Sequence, residues 1–336
     1  MDTQLIHAYT PLIFWTGLGL VLWRWLPQWV PQGLGRSLYW VGIPVEIFSL
    51  TRHTTFSGEA GIAPVSAFLA VLLGLGLGVL TLLGINLGRS PQDPPPVSPP
   101  EDVPDLESGA IGAAPLPWYQ TPTVQGSLLL TSMLGNTGFV GLAIVPLFLD
   151  PAYGGLPAFY TVTQNILGTY GMGVLVASYC SDRPSSRYWW AQLKDLVTVP
   201  TLWAFALGAS TQQIAIPTVV DETLSASIWI VIPCAFVLMG IRLAGMGDWR
   251  QLKLALFPVL IKMLAVPVII GAGLTVLQVP AQIRLAMVLM SGMPSAFATL
   301  ILAEEYDLDR SVAAGAIALS TVFLLVMLPL WIGLLA

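Results

Sequence analysis

Long apolar runs, each wide enough to cross a bilayer and parted by short polar turns, set the pattern of this chain. A spanning helix needs about 20 apolar residues. Such runs cover residues 10–30, 39–56, 62–87, 124–149 and 156–180, then 196–216, 224–245, 252–277, 281–303 and 311–335. Ten transmembrane helices are predicted. One connection differs from the other turns: Gly88 to Pro122 contains QDPPPVSPPEDVPDLES, in which many prolines accompany five acids. That composition cannot bury a core, so the segment reads as a cytoplasmic spacer. The chain then divides into helices one to three (residues 1–87), the Pro-rich acidic loop (88–122), helices four and five (123–180) and helices six to ten (181–336).

Composition narrows the class. Of 336 residues, 55% are hydrophobic and 9% charged, against about 25% charged in a soluble domain. An all-α membrane protein is expected, multi-pass in the lipid bilayer. No basic stripe offers a footprint for nucleic acid. Cys180 and Cys234 are too few for a disulfide framework, and with His7 and His53 they supply no metal centre, so no cofactor is expected. Without a catalytic constellation or a phosphate-cradling P-loop, an enzyme and an ATP-driven pump are both excluded by the sequence reading. Met1 to Leu22 holds no Lys or Arg and no cleavage site, so the first segment is expected to stay in the mature protein. With the N-terminus outside, ten of the thirteen basic residues fall in cytoplasmic connections, Arg52 and Arg284 in outer ones, and Lys262 inside a span. Both termini are therefore expected outside a plasma (inner) membrane.

The second five segments echo the first five, and an odd number of spans per repeat inverts one half against the other. VGIPVEIF with Pro44 matches IVIPCAFV with Pro233. SMLGNTGFVGLAI in segment four matches VLMSGMPSAFATLI in segment nine, so that Gly135 to Gly138 lie opposite Gly292 to Ser295. Gly, Asn and Pro weaken a helix, so both segments are expected to break near mid-membrane. Irregular backbone survives at that depth only where protein or a cavity covers it. Half-helix amino ends there would attract an anion.

GNTGFVGL and the run MPSAFATLILAEEYDLDRSVAAGAIALSTVFLLVMLPLW resemble the auxin efflux carrier family, which includes bacterial permeases and the plant PIN-type carriers. The resemblance implies two inverted five-helix repeats whose broken fourth and ninth helices cross. It also implies a permease or efflux carrier for small organic anions such as auxin or dicarboxylates, with a scaffold and a moving crossover part. By motif, Asn136 matches the crossover asparagine and Pro294 the crossover proline. Plant members have Pro before the asparagine where this chain has Gly135, and many bacterial members have Pro where it has Ala143. The resemblance allows a homodimer through the scaffold helices.

The candidate substrate-binding residues are Asn136, Thr137, Gly135 and Gly138 in segment four, Pro294, Ser291 and Ser295 in segment nine, and Gln164 and Asn165 in segment five. Asn136 can either donate to a carboxylate or cap the following half-helix. Glu46 and Lys262 are the charges set deepest in apolar spans, and such charges are functional candidates by default. They are expected either to pair as a strut or to serve coupling, with protons and sodium both open. Two other readings stand beside the anion carrier: a sodium-coupled carrier like the bile acid symporters, and an anion channel built on paired broken helices.

Overall fold

A computed structural model describes residues 2–27, 29–52, 61–88, 121–181, 200–244 and 252–335. The Pro-rich spacer, apart from its ends, lies outside the described residues, as do Arg89, Arg183, Arg187, Lys194 and Arg250 of the charge count. The described residues are almost wholly helical. In chain order the helices are α1 (Asp2–Leu22), α2 (Trp29–Ser37), α3 (Ile43–Arg52), α4 (Ile62–Gly88), α5 (Pro122–Met133), α6 (Leu142–Ile144), α7 (Leu156–Thr163) and α8 (Val174–Cys180). There follow α9 (Pro200–Ser210), α10 (Thr218–Ala244), α11 (Leu252–Leu260), α12 (Val266–Val276), α13 (Ala281–Ser291), α14 (Phe297–Glu305) and α15 (Arg310–Leu335). Widened π-helical turns join α2 to α3 (Leu38–Gly42), α7 to α8 (Gln164–Gly173) and α11 to α12 (Ile261–Ala265).

Four helical runs are long and apolar enough to cross a membrane: Ile62–Leu87, Thr218–Ile241, Lys253–Val276 and Arg310–Leu335. Shorter apolar helices include Thr10–Leu22, Thr137–Phe148 and Ala281–Ser291. The first apolar run ends at Leu22, not near residue 30, and the second helix begins at Trp29 instead of residue 39. Pro27 accounts for the break, because the residue before a proline is driven out of helical backbone. Trp23 to Leu26 close the helix as a turn, with Leu26 N–H donating to Leu22 O.

Helix packing sorts the chain into two bundles. In the first, α1 runs along α10 and α3 along α9, with α2 and α3 also against α10. Small residues permit the first of these contacts, since association in lipid depends on close backbone approach. A Cβ on Gly240 would overlap the carbonyl oxygen of Thr16, and one on Gly19 that of Val237. At the end of α3, Arg52 donates to the carbonyls of Thr211 and Ile214, while Gln212 Nε2 donates to Thr51 O at 2.7 Å. These bonds tie α3 to the otherwise unsatisfied carboxyl end of α9.

The second bundle holds α4, α5, α7, α8 and α11 to α15. Here α4 packs on α5 and α7, α12 on α13, α11 on α15, and α5 on α15. Its core includes Tyr160, Val259, Met263, Met287, Met290, Met293 and Trp331. Trp331 Nε1 donates to Met263 O at 3.2 Å, which satisfies the indole while its ring stays buried. The two bundles meet where α7 leans on α3 and α9, and where the turn Thr137–Gly141 rests on α10.

Candidate functional site: two broken helices that cross

α5 stops at Met133 and the chain turns extended at Leu134 (φ −98°, ψ 119°), then passes Gly135 and Asn136 before a π-helical turn over Thr137–Gly141. α13 stops at Ser291, and residues 292–296 lead to α14, with Ala296 extended at φ −72°, ψ 146°. Pro294 lacks an N–H and cannot continue α13, while Gly135 and Asn136 lose little by leaving a helix. Both segments thus break within the clusters that the sequence marked.

The breaks meet each other. Gly135 and Ser295 form an isolated antiparallel bridge. Asn136 N–H donates to Pro294 O at 2.6 Å, and Ala296 N–H donates to Leu134 O at 3.0 Å. Backbone groups freed from two helices satisfy one another, as a membrane interior requires. Phe139 and Phe297, near the starts of the two second halves, meet edge to face at 6.4 Å between ring centres.

Side chains hold this crossing from several helices. Asn136 Oδ1 accepts from Phe139 N–H at 3.3 Å, capping the half-helix that follows. Gln164 Nε2 donates to Gly135 O at 2.5 Å and to Thr137 Oγ1 at 3.1 Å. Its Oε1 is buried with no hydrogen-bond partner. Ser295 Oγ donates to Thr131 O at 3.0 Å, and Ser295 N–H donates to Ser320 Oγ at 3.0 Å. Ser291 Oγ turns back to Val288 O at 2.9 Å, so its hydroxyl serves its own helix. Asn136, Thr137, Gln164, Ser291 and Ser295 are all buried.

The crossing therefore brings together Asn136, Thr137, Gly135, Gln164, Ser291, Pro294 and Ser295. Gly138 sits one turn on, where an added Cβ would find Ile43 and Thr161 at 3.8 Å. Asn165 is half-buried and makes no hydrogen bond to the crossing. Thr131 and Ser320 were not singled out from the sequence, although each is a small hydroxyl inside an apolar run. Among the described residues no group of three His, Cys, Asp or Glu side chains could hold a metal ion.

The expected pairing of Glu46 with Lys262 is not observed. Lys262, on the π-helical turn Ile261–Ala265 of the second bundle, is fully buried and donates from Nζ to Ser291 O at 2.8 Å. Glu46 belongs to α3 in the first bundle, buried at 2% exposure, and its Oε1 accepts no hydrogen bond. A helix-end carbonyl of α13 satisfies the ammonium in place of the carboxylate. Gly135 makes room for it: a Cβ there would stand 2.9 Å from Lys262 Cε and 3.0 Å from Nζ.

The model of a family described as membrane transport protein matches residues 185–332. An uncharacterized transporter of Methanothermobacter thermautotrophicus is 27% identical over 206 residues, covering 61% of this chain and 66% of the relative. An uncharacterized transporter of Methanocaldococcus jannaschii is 26% identical over 216 residues, covering 61% and 67%. The chain thus spans about two thirds of the length of the curated relatives it matches. Its long apolar helices make it an integral membrane protein, and these likenesses are to membrane transport proteins.

Proposed function

We propose that the protein is a secondary transporter that moves small organic anions, carboxylates first among them, across a plasma membrane by alternating access. The observation that carries this reading is the crossing itself. Two interrupted helices exchange backbone hydrogen bonds at Gly135 and Ser295, and a second half-helix starts on each side of that bridge. The first turns of those halves carry amides without intrahelical acceptors and the positive end of the helix dipole, which favour an anion. When protonated, the fully buried Lys262 side chain, with no carboxylate in ion-pair range among the described residues, adds to the same sign of potential. Broken helices near the middle of the membrane are where carriers of this kind bind substrate.

The packing also supports two inverted five-helix repeats. Contacts come in couples related by exchanging the first five segments with the last five: α1 with α10 and α3 with α9, α4 with α5 and α12 with α13, α4 with α7 and α11 with α15. In this reading the crossing bundle moves as a body against the bundle of α1 to α3, α9 and α10, and both termini face outward.

The test is uptake in proteoliposomes across a panel of carboxylates, comparing wild type with Asn136→Ala. Wild type is expected to take up at least one acid saturably. Asn136→Ala is expected to lower that uptake about tenfold, since a hydrogen bond to a charged group is worth about 1.5–3 kcal/mol, and to lose about 1 kcal/mol of stability with the cap. Uptake of every acid unchanged by the substitution would remove Asn136 from the site, and a silent wild type would sink the anion reading.

A further inference from the structure

We propose that the ammonium of Lys262 is a built-in cation, seated where a carrier with broken helices would otherwise bind a coupling ion, so that the crossing takes up neither sodium nor potassium. The proposal rests on the transport reading above for its meaning, but its test reads binding and does not depend on transport.

The last carbonyls of a helix have no intrahelical donor, and the negative end of the dipole lies with them. Helices interrupted in the membrane expose such carbonyl ends at mid-depth, and carriers use them to coordinate a coupling cation. Here one carbonyl at each break is already taken by an N–H group of a neighbouring side chain. At the close of the first half, Gly135 O accepts from the neutral amide of Gln164 at 2.5 Å. At the close of the other, Ser291 O accepts from Nζ of Lys262 at 2.8 Å.

Three further observations make the lysine a resident of this position. It is 0% exposed, so no part of it reaches water by snorkelling. No acidic side chain lies within ion-pair distance of it among the described residues, which leaves helix-end carbonyl to solvate a charge that is expensive to bury alone. Its arm also passes over Gly135, where the backbone has no Cβ to block it: the Cε and Nζ positions lie 2.9 and 3.0 Å from where that atom would be. The buried Oε1 of Gln164, without a donor, stands 3.5 Å from the same point. A lysine, a glycine and a glutamine from three separate segments thus build one small cation seat that is occupied covalently.

The experiment measures thermal unfolding midpoints of the purified full-length protein in sodium, potassium and choline chloride at equal ionic strength. Wild type is expected to melt within about 1 °C in all three. Lys262→Met keeps the length and removes the charge; its midpoint is expected to fall in choline and to rise saturably by about 2 °C or more in sodium or potassium. Lys262→Ala leaves room for a three-carbon ammonium, so propylammonium chloride is expected to raise its midpoint while choline, which is too large, does not. Saturable stabilisation of wild type by sodium or potassium overturns the proposal. So does a pair of folded variants that respond to no cation. If neither variant folds, binding of radioactive sodium to wild type decides: bound ion overturns the proposal and its absence is the expected result. Failure of these arms leaves the carboxylate uptake test standing, and failure of that test leaves these midpoints unchanged.

Discussion

Gly240→Val is expected to lower the unfolding midpoint by about 5 °C or more and to part α1 from α10. Overpacking a helix contact costs about 1–3 kcal/mol when side chains can move aside. Here they cannot, because the obstacles are backbone: an added Cβ at residue 240 would overlap Thr16 O and stand 2.9 Å from Leu20 N. The approach is mutual, since a Cβ on Gly19 would overlap Val237 O and lie 3.0 Å from the Cα of Gly240. Relief requires the two helix axes to separate along their whole contact, which is the main packing of α1. A cost of about 3 kcal/mol therefore marks the lower bound. Gly17→Ala is the control: nothing lies within 4 Å of its added atom, so its midpoint should hold or rise slightly. Tryptophan fluorescence during heating reads both. A Gly240→Val midpoint within about 1 °C of wild type would show that the helices do not approach as described.

Gln164→Leu is expected to lower uptake sharply and to destabilise the crossing together. One amide nitrogen donates to Gly135 O and to Thr137 Oγ1, so its loss takes a donor from two groups inside the protein. Each buried polar group left unsatisfied costs about 1–3 kcal/mol. The carbonyl of Gly135 also accepts from Thr137 N–H at 2.9 Å, which sets the lower end of that range for it. The sum, about 3 kcal/mol, is expected to appear as a lowered midpoint, and Gln164→Glu should not restore the bond to Gly135 O because an ionised carboxylate cannot donate. Uptake is expected to fall about 100-fold, the scale on which misplacing a binding group by about 1 Å acts. Normal uptake in Gln164→Leu would mean that the crossing is held by the backbone bridge alone.

The places where α5 and α13 give way were legible, because Gly, Asn and Pro announce a break by their own backbone chemistry. The bridge that joins those breaks was not. Its bonds run between main-chain atoms of Leu134, Asn136, Pro294 and Ala296, and no side chain identifies a main-chain partner. Lys262 was visible as a buried charge, but complementarity of charge pointed to Glu46, whereas the actual acceptor is a helix-end carbonyl that no residue type marks. Gly19 and Gly240 were lost among 32 glycines, since the spacing of a small residue says nothing of what it touches. The end of α1 at Leu22 was overrun because the large apolar side chains of Trp23, Trp25, Leu26, Trp29 and Val30 continue past the turn that Pro27 enforces.

The bridge at Gly135 and Ser295 also sets a condition on how the protein is made. About 160 residues separate Asn136, whose amide needs an acceptor, from Pro294, which supplies it. A ribosome adding roughly 5–20 residues per second takes some ten to thirty seconds to cover that distance. Throughout that interval the nascent first half carries an open break whose amide and carbonyl lipid cannot satisfy. Until segment nine emerges, water, the insertion machinery or a neighbouring span has to hold it, which makes completion of the ninth segment the event that commits the newborn chain to its fold.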